Sequence, residues 1–293
     1  MAAVQRVRVA TSAAHKFLSS SKLPDFARIL PSDAAFTSAV NNGFIKCNKE
    51  ETTAVLKAVW HTTHNIHHAG DKARVSALSD ICKSHNFLPS NFTALATLLQ
   101  QVPNTSTVRT DLLSIAESLN DPGAILKSAS SILPVIRSTL VLEASHTWRK
   151  LAALAADHKV PEAYEQMAET CERLKNLTQA QHYWNKAAEL DSGKACLMLG
   201  RYALKNGRVE LAMEWFAKGA DRDEAEAYYE LGVLQMEQGK DKEDAEHNLL
   251  VAAASGVGPA AAKLEQLYKA RNETAKGARW GELAGEMEKV SKN

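Results

Sequence analysis

Residues 193–220 read GKACLMLGRYALKNGRVELAMEWFAKGA, and this stretch decides the fold of the chain. Apolar and small residues recur in it at steps of three and four on both sides of the dipeptide Asn206-Gly207. This spacing is typical of two amphipathic helices, and Asn-Gly is a frequent turn sequence. The stretch therefore predicts one helical hairpin.

The same pattern returns before and after this hairpin at intervals of 32 or 33 residues. In the first helix of each unit, the paired positions are Ala163 and Met167, Ala195 and Leu199, Ala227 and Leu231, and Ala260 and Leu264. In the second helix, they are Ala180, Trp184 and Ala187-Ala188; Ala212, Phe216 and Gly219-Ala220; and Ala245, Leu249 and Ala252-Ala253. Small residues let helices approach closely, and the large residue fills the space between them. We therefore expect an all-α fold, an α-α superhelix or solenoid of helix-turn-helix repeats.

At these positions the chain resembles the tetratricopeptide and Sel1-like repeat superfamily. One whole unit has the tetratricopeptide spacing, at Leu199-Gly200, Ala203, Ala212, Phe216 and Gly219-Ala220. The unit before it has most of that spacing, and the unit after it has one extra residue between its helices. The last unit, from Ala260, shows only its first helix clearly. The resemblance covers residues 160–270, and an amphipathic helix over residues 271–293 is expected to cap the array.

The resemblance implies a concave face, lined by the first helix of each unit, that docks a peptide or protein. Carried over position by position, its groove residues are Glu162, Glu165, Glu169 and Glu172 in the first unit, Lys194, Arg201, Leu204 and Lys205 in the second, and Glu226, Tyr229, Met236 and Glu237 in the third. Tyr229 and Met236 are the expected anchors, because aromatic residues and methionine are enriched in interface cores. The alternative for any single charged position is solvated surface without a ligand.

Residues 32–159 are expected to form a less regular helical region. Asn48 and Asp121-Pro122 are helix-start signals, whereas Pro89 and Pro103 mark breaks. Six or seven helices are expected here. Further on, one helix face is traced by Ile136, Leu140, Ala144, Trp148, Leu151 and Ala155.

Three histidines are the unusual feature of this front region. His61, His64 and His68 are three and four residues apart, which places them on one helix face as a weak candidate zinc or copper site. The alternative is a histidine-rich helix end before Gly70. The sequence contains neither a glycine-rich phosphate loop nor a GxSxG motif. We therefore expect no cofactor and no enzyme activity.

Residues 1–31 have the composition of a leader. No acidic residue precedes Asp25, whereas Arg6, Arg8, Lys16 and Lys22 lie among small and hydroxyl residues. This composition is typical of a mitochondrial presequence, and the segment lacks the apolar run of a secretory signal. We expect a mitochondrial protein, of the matrix, with the cytoplasm as the second possibility. A tail without a fixed fold is the alternative interpretation of the leader.

Charge narrows the choice of partner. The whole chain has a formal net charge of +1, and residues 160–270 contain 13 bases against 19 acids, whereas a groove for phosphates should be positive. Nucleic acid is therefore the less favoured partner, although residues 1–50 contain seven bases against three acids. No apolar run is long enough to cross a bilayer, and the four cysteines show no disulfide or zinc spacing.

These observations favour a non-catalytic mitochondrial adaptor or assembly factor that holds a protein client, for instance a subunit of a larger complex, in its concave face. An organellar RNA-binding helical-repeat protein is the first alternative. A metal-binding protein that uses the histidine face is the second. The oligomeric state stays open.

The leader gives the first testable prediction. If residues 1–31 are a presequence, import removes them, and N-terminal sequencing of the native protein will begin beyond Lys22. Recovery of native protein that still begins at Met1 inside mitochondria would contradict it.

Overall fold

The computed structural model describes residues 26–65, 87–239 and 242–291, and all regular structure within them is helical. The fold is all-α, as the sequence pattern predicts. These residues divide into two compact units between Ser128 and Ala129. The leader up to residue 25 lies outside the described residues.

The first unit consists of helices around one apolar core. Its α-helices are α1 (Asp33–Asn41), α2 (Lys49–Asn65), α3 (Pro89–Leu98), α4 (Ser106–Ser118) and α5 (Pro122–Ile132), the last of which continues past the division between the units. Short 3₁₀ turns lie at Phe26–Ile29 and Leu99–Gln101. Side chains such as Leu56, Phe92 and Leu112 are almost fully buried in its core.

Two of the predicted helix starts are confirmed by capping hydrogen bonds. The Asn48 side chain accepts from the backbone N–H of Glu51 at 2.8 Å, and the Glu51 carboxylate accepts from the backbone N–H of Asn48 at 3.4 Å. This reciprocal pair is a capping box. Asp121 likewise accepts from the N–H of Ala124 at 2.9 Å. Pro89, expected at a break, is the first residue of α3, a position that does not require an N–H donor.

The second unit begins with a 3₁₀ turn at Leu133–Val135, followed by α6 (Thr139–Ala144) and α7 (His146–His158). The predicted apolar face over residues 136–155 is wrong as a continuous feature. Ser145 separates the two helices, since its hydroxyl accepts from the N–H of Trp148 at 3.4 Å and so begins α7. Leu140, expected on that buried face, is 78% exposed.

Four helical hairpins follow in the second unit. Their helices are α8 (Pro161–Arg173) and α9 (Leu177–Glu189), α10 (Gly193–Lys205) and α11 (Val209–Ala220), α12 (Ala225–Gln238) and α13 (Lys242–Ala254), and α14 (Gly258–Ala270) and α15 (Thr274–Ser291). Each second helix from α9 to α13 packs against the first helix of the next hairpin. The first hairpin packs in the same way against α7. The repeats start at Pro161, and the compact unit that contains them starts at Ala129.

Burial confirms the repeat register. The alanines at the third position of each first helix, Ala163, Ala195, Ala227 and Ala260, have no exposed surface. The large residues of the second helices, Trp184, Phe216 and Leu249, are also fully buried. The structure therefore has the repeat register that the sequence predicts.

In the second and third hairpins, close approach of the two helices depends on glycine in the first helix. A Cβ atom at Gly200 would fall on the ring of Phe216, and one at Gly232 would lie 3.0 Å from Cγ of Leu249. Glycine is favourable here because the large side chain of the second helix rests directly on the backbone of the first. Ala168, with Trp184 as its counterpart, has this position in the first hairpin.

The fourth hairpin keeps the register with different residues. Gly281 stands at the position of Trp184, Phe216 and Leu249, and a Cβ atom there would lie 2.8 Å from Cδ of Glu265 on α14. Because the large residue is absent, the two helices approach through glycine instead. Trp280 and Met287 of α15 pack against the apolar cluster of the last two hairpins. The region predicted as a capping helix is thus the second helix of a hairpin.

The packing of Phe216 gives the second prediction. Phe216→Ala removes a fully buried ring that fills the space over Gly200, so we expect the free energy of unfolding to fall by about 3–5 kcal/mol. Leu211→Ala on the same helix is the matched control, because Leu211 is 37% exposed. Chemical denaturation of both variants is the measurement, and a loss no larger than that of the control would contradict this packing.

Candidate functional site

The first helices of the hairpins form one face of the array. Within the described residues, α10 contacts α12 directly and α12 contacts α14, whereas direct packing between successive second helices is sparse. The face that they line is the one that the repeat pattern predicts to be concave. We call it the inner face below.

The predicted groove residues of the first two hairpins are linked by charge. The ammonium group of Lys194 lies 2.5 Å from Oε1 of Glu169 and 3.8 Å from Oε2 of Glu165. The hydroxyl of Ser192 donates to Glu165 at 2.6 Å. Burial lowers the pKa of Lys194, but the hydrogen bond to Glu169 and the neighbouring carboxylates outweigh this effect and raise it overall. Lys194 therefore stays charged and bridges two hairpins.

Arg201 makes the corresponding link between the second and third hairpins. Its Nη2 lies 2.8 Å from Oε2 of Glu226 and 2.9 Å from Oε1 of Glu230. The structure thus brings together the predicted residues Arg201 and Glu226, but as partners of each other. Glu230 was not among the predicted residues, although its position one helical turn after Glu226 placed both carboxylates on one side of α12.

The other predicted residues differ in how much they offer to a partner. Lys205 is exposed at the end of α10 and has no ion pair with any described residue. Tyr229 and Met236 are half-buried, because each also packs against the apolar cluster of the last two hairpins. Burial raises the pKa of Tyr229, so its phenol stays neutral. The inner face therefore offers a partner the exposed base Lys205 and two side chains that are only partly available.

Glu172, which the repeat pattern places on the groove, is half-buried and hydrogen-bonded between helices. Its Oε1 accepts from Nε1 of Trp184 at 2.9 Å and from the hydroxyl of Tyr202 at 2.7 Å, so it links α8 to both α9 and α10. Burial and this hydrogen bond raise the pKa of Tyr202. The carboxylate of Glu172 stabilises the packing of these three helices. The spacing of residues in the sequence did not predict this role.

A cavity of about 510 Å³ opens beside the first hairpin. One wall comes from the 3₁₀ turn, at Leu133 and Pro134, and the opposite wall from α8 and α10. Its charged lining consists of Glu162, Glu165, Glu169, Arg173 and Lys194. Three of these, Glu162, Glu165 and Glu169, are acids that the repeat pattern placed on the groove, whereas nothing in the sequence indicated the turn at Leu133.

The histidine face is only partly described. His61 is exposed on α2, the side chain of His64 is not described, and His68 lies outside the described residues. Within the described ranges, no three His, Cys, Asp or Glu residues are grouped so as to hold a metal ion. The same ranges contain no helix that is both long and apolar enough for a bilayer span.

The described cysteines are poor nucleophiles. Cys47, Cys171 and Cys196 are free thiols. Burial raises the pKa of all three, and that of Cys171 reaches about 11. A thiol must lose its proton to attack, so none of these three is activated at neutral pH.

Comparison with known families agrees with this geometry. The tetratricopeptide repeat signature matches residues 161–194 and 193–226, which span the first two hairpins. Residues 161–226 therefore match the tetratricopeptide repeat family. The third and fourth hairpins lie beyond the matched residues and continue the same stacking. The chain has no significant match among curated protein sequences.

Three solved structures are similar to this chain. A Sel1 repeat protein from Oxalobacter formigenes is 19% identical over 81% of this chain and 97% of its own, with a TM-score of 0.52. A protective antigen of uropathogenic Escherichia coli with an SLR fold is 16% identical over 85% and 63%, with a TM-score of 0.38. BtubC from P. vanneervenii is 16% identical over 84% and 92%, with a TM-score of 0.37. The likeness to the first protein is one of fold alone.

The Arg201 ion pairs give the third prediction. In a double-mutant cycle of Arg201→Ala and Glu230→Ala, we expect a coupling energy of about 0.2–1 kcal/mol, because the pair is partly exposed. The coupling should vanish near 1 M salt, where the screening length is about 3 Å. Denaturant unfolding at low and high salt is the measurement. Strictly additive effects at low salt would show that the pair contributes nothing.

Proposed function

We propose that this chain is a non-catalytic adaptor that holds a segment of a client protein on the inner face of its tetratricopeptide/Sel1-like repeats. Helical repeats of this kind are typical of protein-interaction scaffolds. The observation that carries the proposal is the cavity beside the first hairpin. Its lining includes Glu162, Glu165, Glu169 and Lys194, which the repeat pattern placed on or beside the groove.

The proposal includes a mitochondrial role, as an assembly factor of the matrix. It is supported by the composition of residues 1–31, which combine bases with an absence of acids before Asp25. A cytoplasmic adaptor is the alternative location. The client would be a protein segment that is exposed before it is built into a larger complex.

RNA is a weaker candidate for the ligand. A surface that tracks phosphates needs basic side chains that are free to contact them. On the inner face, Lys194 and Arg201 are already paired with carboxylates, and residues 160–270 have more acids than bases. The same charges favour a protein client.

The fourth prediction tests the inner face with a matched pair of variants. Lys205→Glu/Met236→Ala changes that face, and Arg279→Glu/Leu211→Ala makes the same kinds of change on second helices. We expect the first variant to recover about five- to tenfold less client than the wild type, because charge reversal and lost contact area both weaken binding. The second should recover normal amounts.

The measurement is quantitative affinity purification from cells, with circular dichroism as the control for folding. Equal recovery of every client by both folded variants would reject the inner face as the docking surface. Ribonuclease-sensitive recovery of RNA, in place of a protein, would favour the RNA alternative.

A further inference from the structure

The cavity beside the first hairpin has the chemistry of a particular ligand. Three glutamates of α8, Glu162, Glu165 and Glu169, line one side of the cavity, and the exposed Pro134 lines the other, together with the buried Ala129 and Leu133. We call this the acidic cavity. Carboxylates and an apolar wall together match a side chain with an aliphatic stem and a cationic head.

The bases that line the acidic cavity do not cancel its charge. The guanidinium of Arg173 donates to the backbone carbonyl oxygens of Leu133 and Ile136, which fixes it against the 3₁₀ turn. Lys194 is shared between Glu165 and Glu169. Glu162 is exposed and forms no ion pair with a described residue. Three carboxylates therefore face two cationic groups, Lys194 and Arg173, which leaves these charged residues with a formal net charge of −1 and disfavours an acidic ligand.

The size of the acidic cavity limits its occupant. About 510 Å³ lies within the range of pockets that enclose a small ligand. The fixed position of Arg173 holds the turn, and with it the apolar wall, in place without a ligand.

We propose that the acidic cavity receives an arginine or lysine side chain of a protein client, with its stem on Pro134 and its cationic head among Glu162, Glu165 and Glu169. This inference rests on the proposed function, since the acidic cavity opens beside the inner face. It adds the chemical class of the client segment: a cationic one.

The fifth prediction uses peptides whose sequences are not chosen in advance. Random 12-residue peptides displayed on phage are selected on immobilised full-length chain, and the bound peptides are sequenced. We expect arginine and lysine to be enriched over the starting library. The selected peptides should bind Glu162→Gln/Glu169→Gln about tenfold more weakly, because charge-assisted hydrogen bonds are lost.

A control variant separates a local contact from general electrostatic attraction. Glu282→Gln/Glu286→Gln changes the net charge equally, at two exposed positions of α15. The selected peptides should bind it within about twofold of the wild type, because mutations of distant, exposed charges have small effects at physiological salt. Equal loss of binding by both variants would overturn the proposal.

The remaining outcomes distinguish this inference from the proposed function. If the selected peptides lack basic residues but bind Lys205→Glu/Met236→Ala more weakly, the inner face docks a client and the cationic site is wrong. If no peptide is selected, or if binding is insensitive to every variant, both proposals fail. Should the wild type dimerise and Glu162→Gln/Glu169→Gln be monomeric, the occupant is a second copy, and the cationic peptide is rejected.

Discussion

The contact of a large second-helix side chain with a small first-helix residue is the constraint on which the repeats depend. In the second hairpin, Phe216 lies on Gly200, and no side chain larger than hydrogen fits between them. This contact sets the distance between the two helices. Because each hairpin then packs only on its neighbours, the same distance, repeated, positions every side chain of the inner face.

The charges of the inner face follow from that stacking. Lys194 and Arg201 come from one helix, α10, and reach carboxylates on the helices to either side. Each ion pair joins two hairpins. These bases are therefore engaged in contacts between repeats in the absence of a ligand. What the face retains for a partner is an acidic opening at the first hairpin and Lys205 at the end of α10.

The fold could be predicted from the sequence because small residues recur at the same position of each repeat. Alanine and glycine that return at a fixed period of 32 or 33 residues are typical of stacked helical hairpins, and burial places Ala163, Ala195, Ala227 and Ala260 in equivalent positions. The repeat pattern in the sequence is weaker at Gly281, where the large residue is missing. The same periods still reach that glycine from Trp184, Phe216 and Leu249, so counting positions would have extended the array to α15.

The candidate site was harder to predict, because position in a repeat does not determine what a side chain contacts. Glu172 and Glu169 both follow the groove pattern, yet Glu172 is half-buried and accepts hydrogen bonds from Trp184 and Tyr202, which come from two other helices. The wall at Leu133 comes from outside the repeats and has no periodic signal. Both depend on contacts between segments that are distant in sequence.

The glycines of α15 bear on how the array loses its structure. Gly277 and Gly281 bring α15 close to α14, but they bury no side chain of their own, and glycine gains more backbone freedom on unfolding than any other residue. In a stack coupled only through neighbours, stability is a sum of local and interfacial contributions. The last hairpin is then the segment whose amides exchange with solvent first, whereas the hairpins around Trp184 and Phe216 keep their protection until the second unit unfolds as a whole.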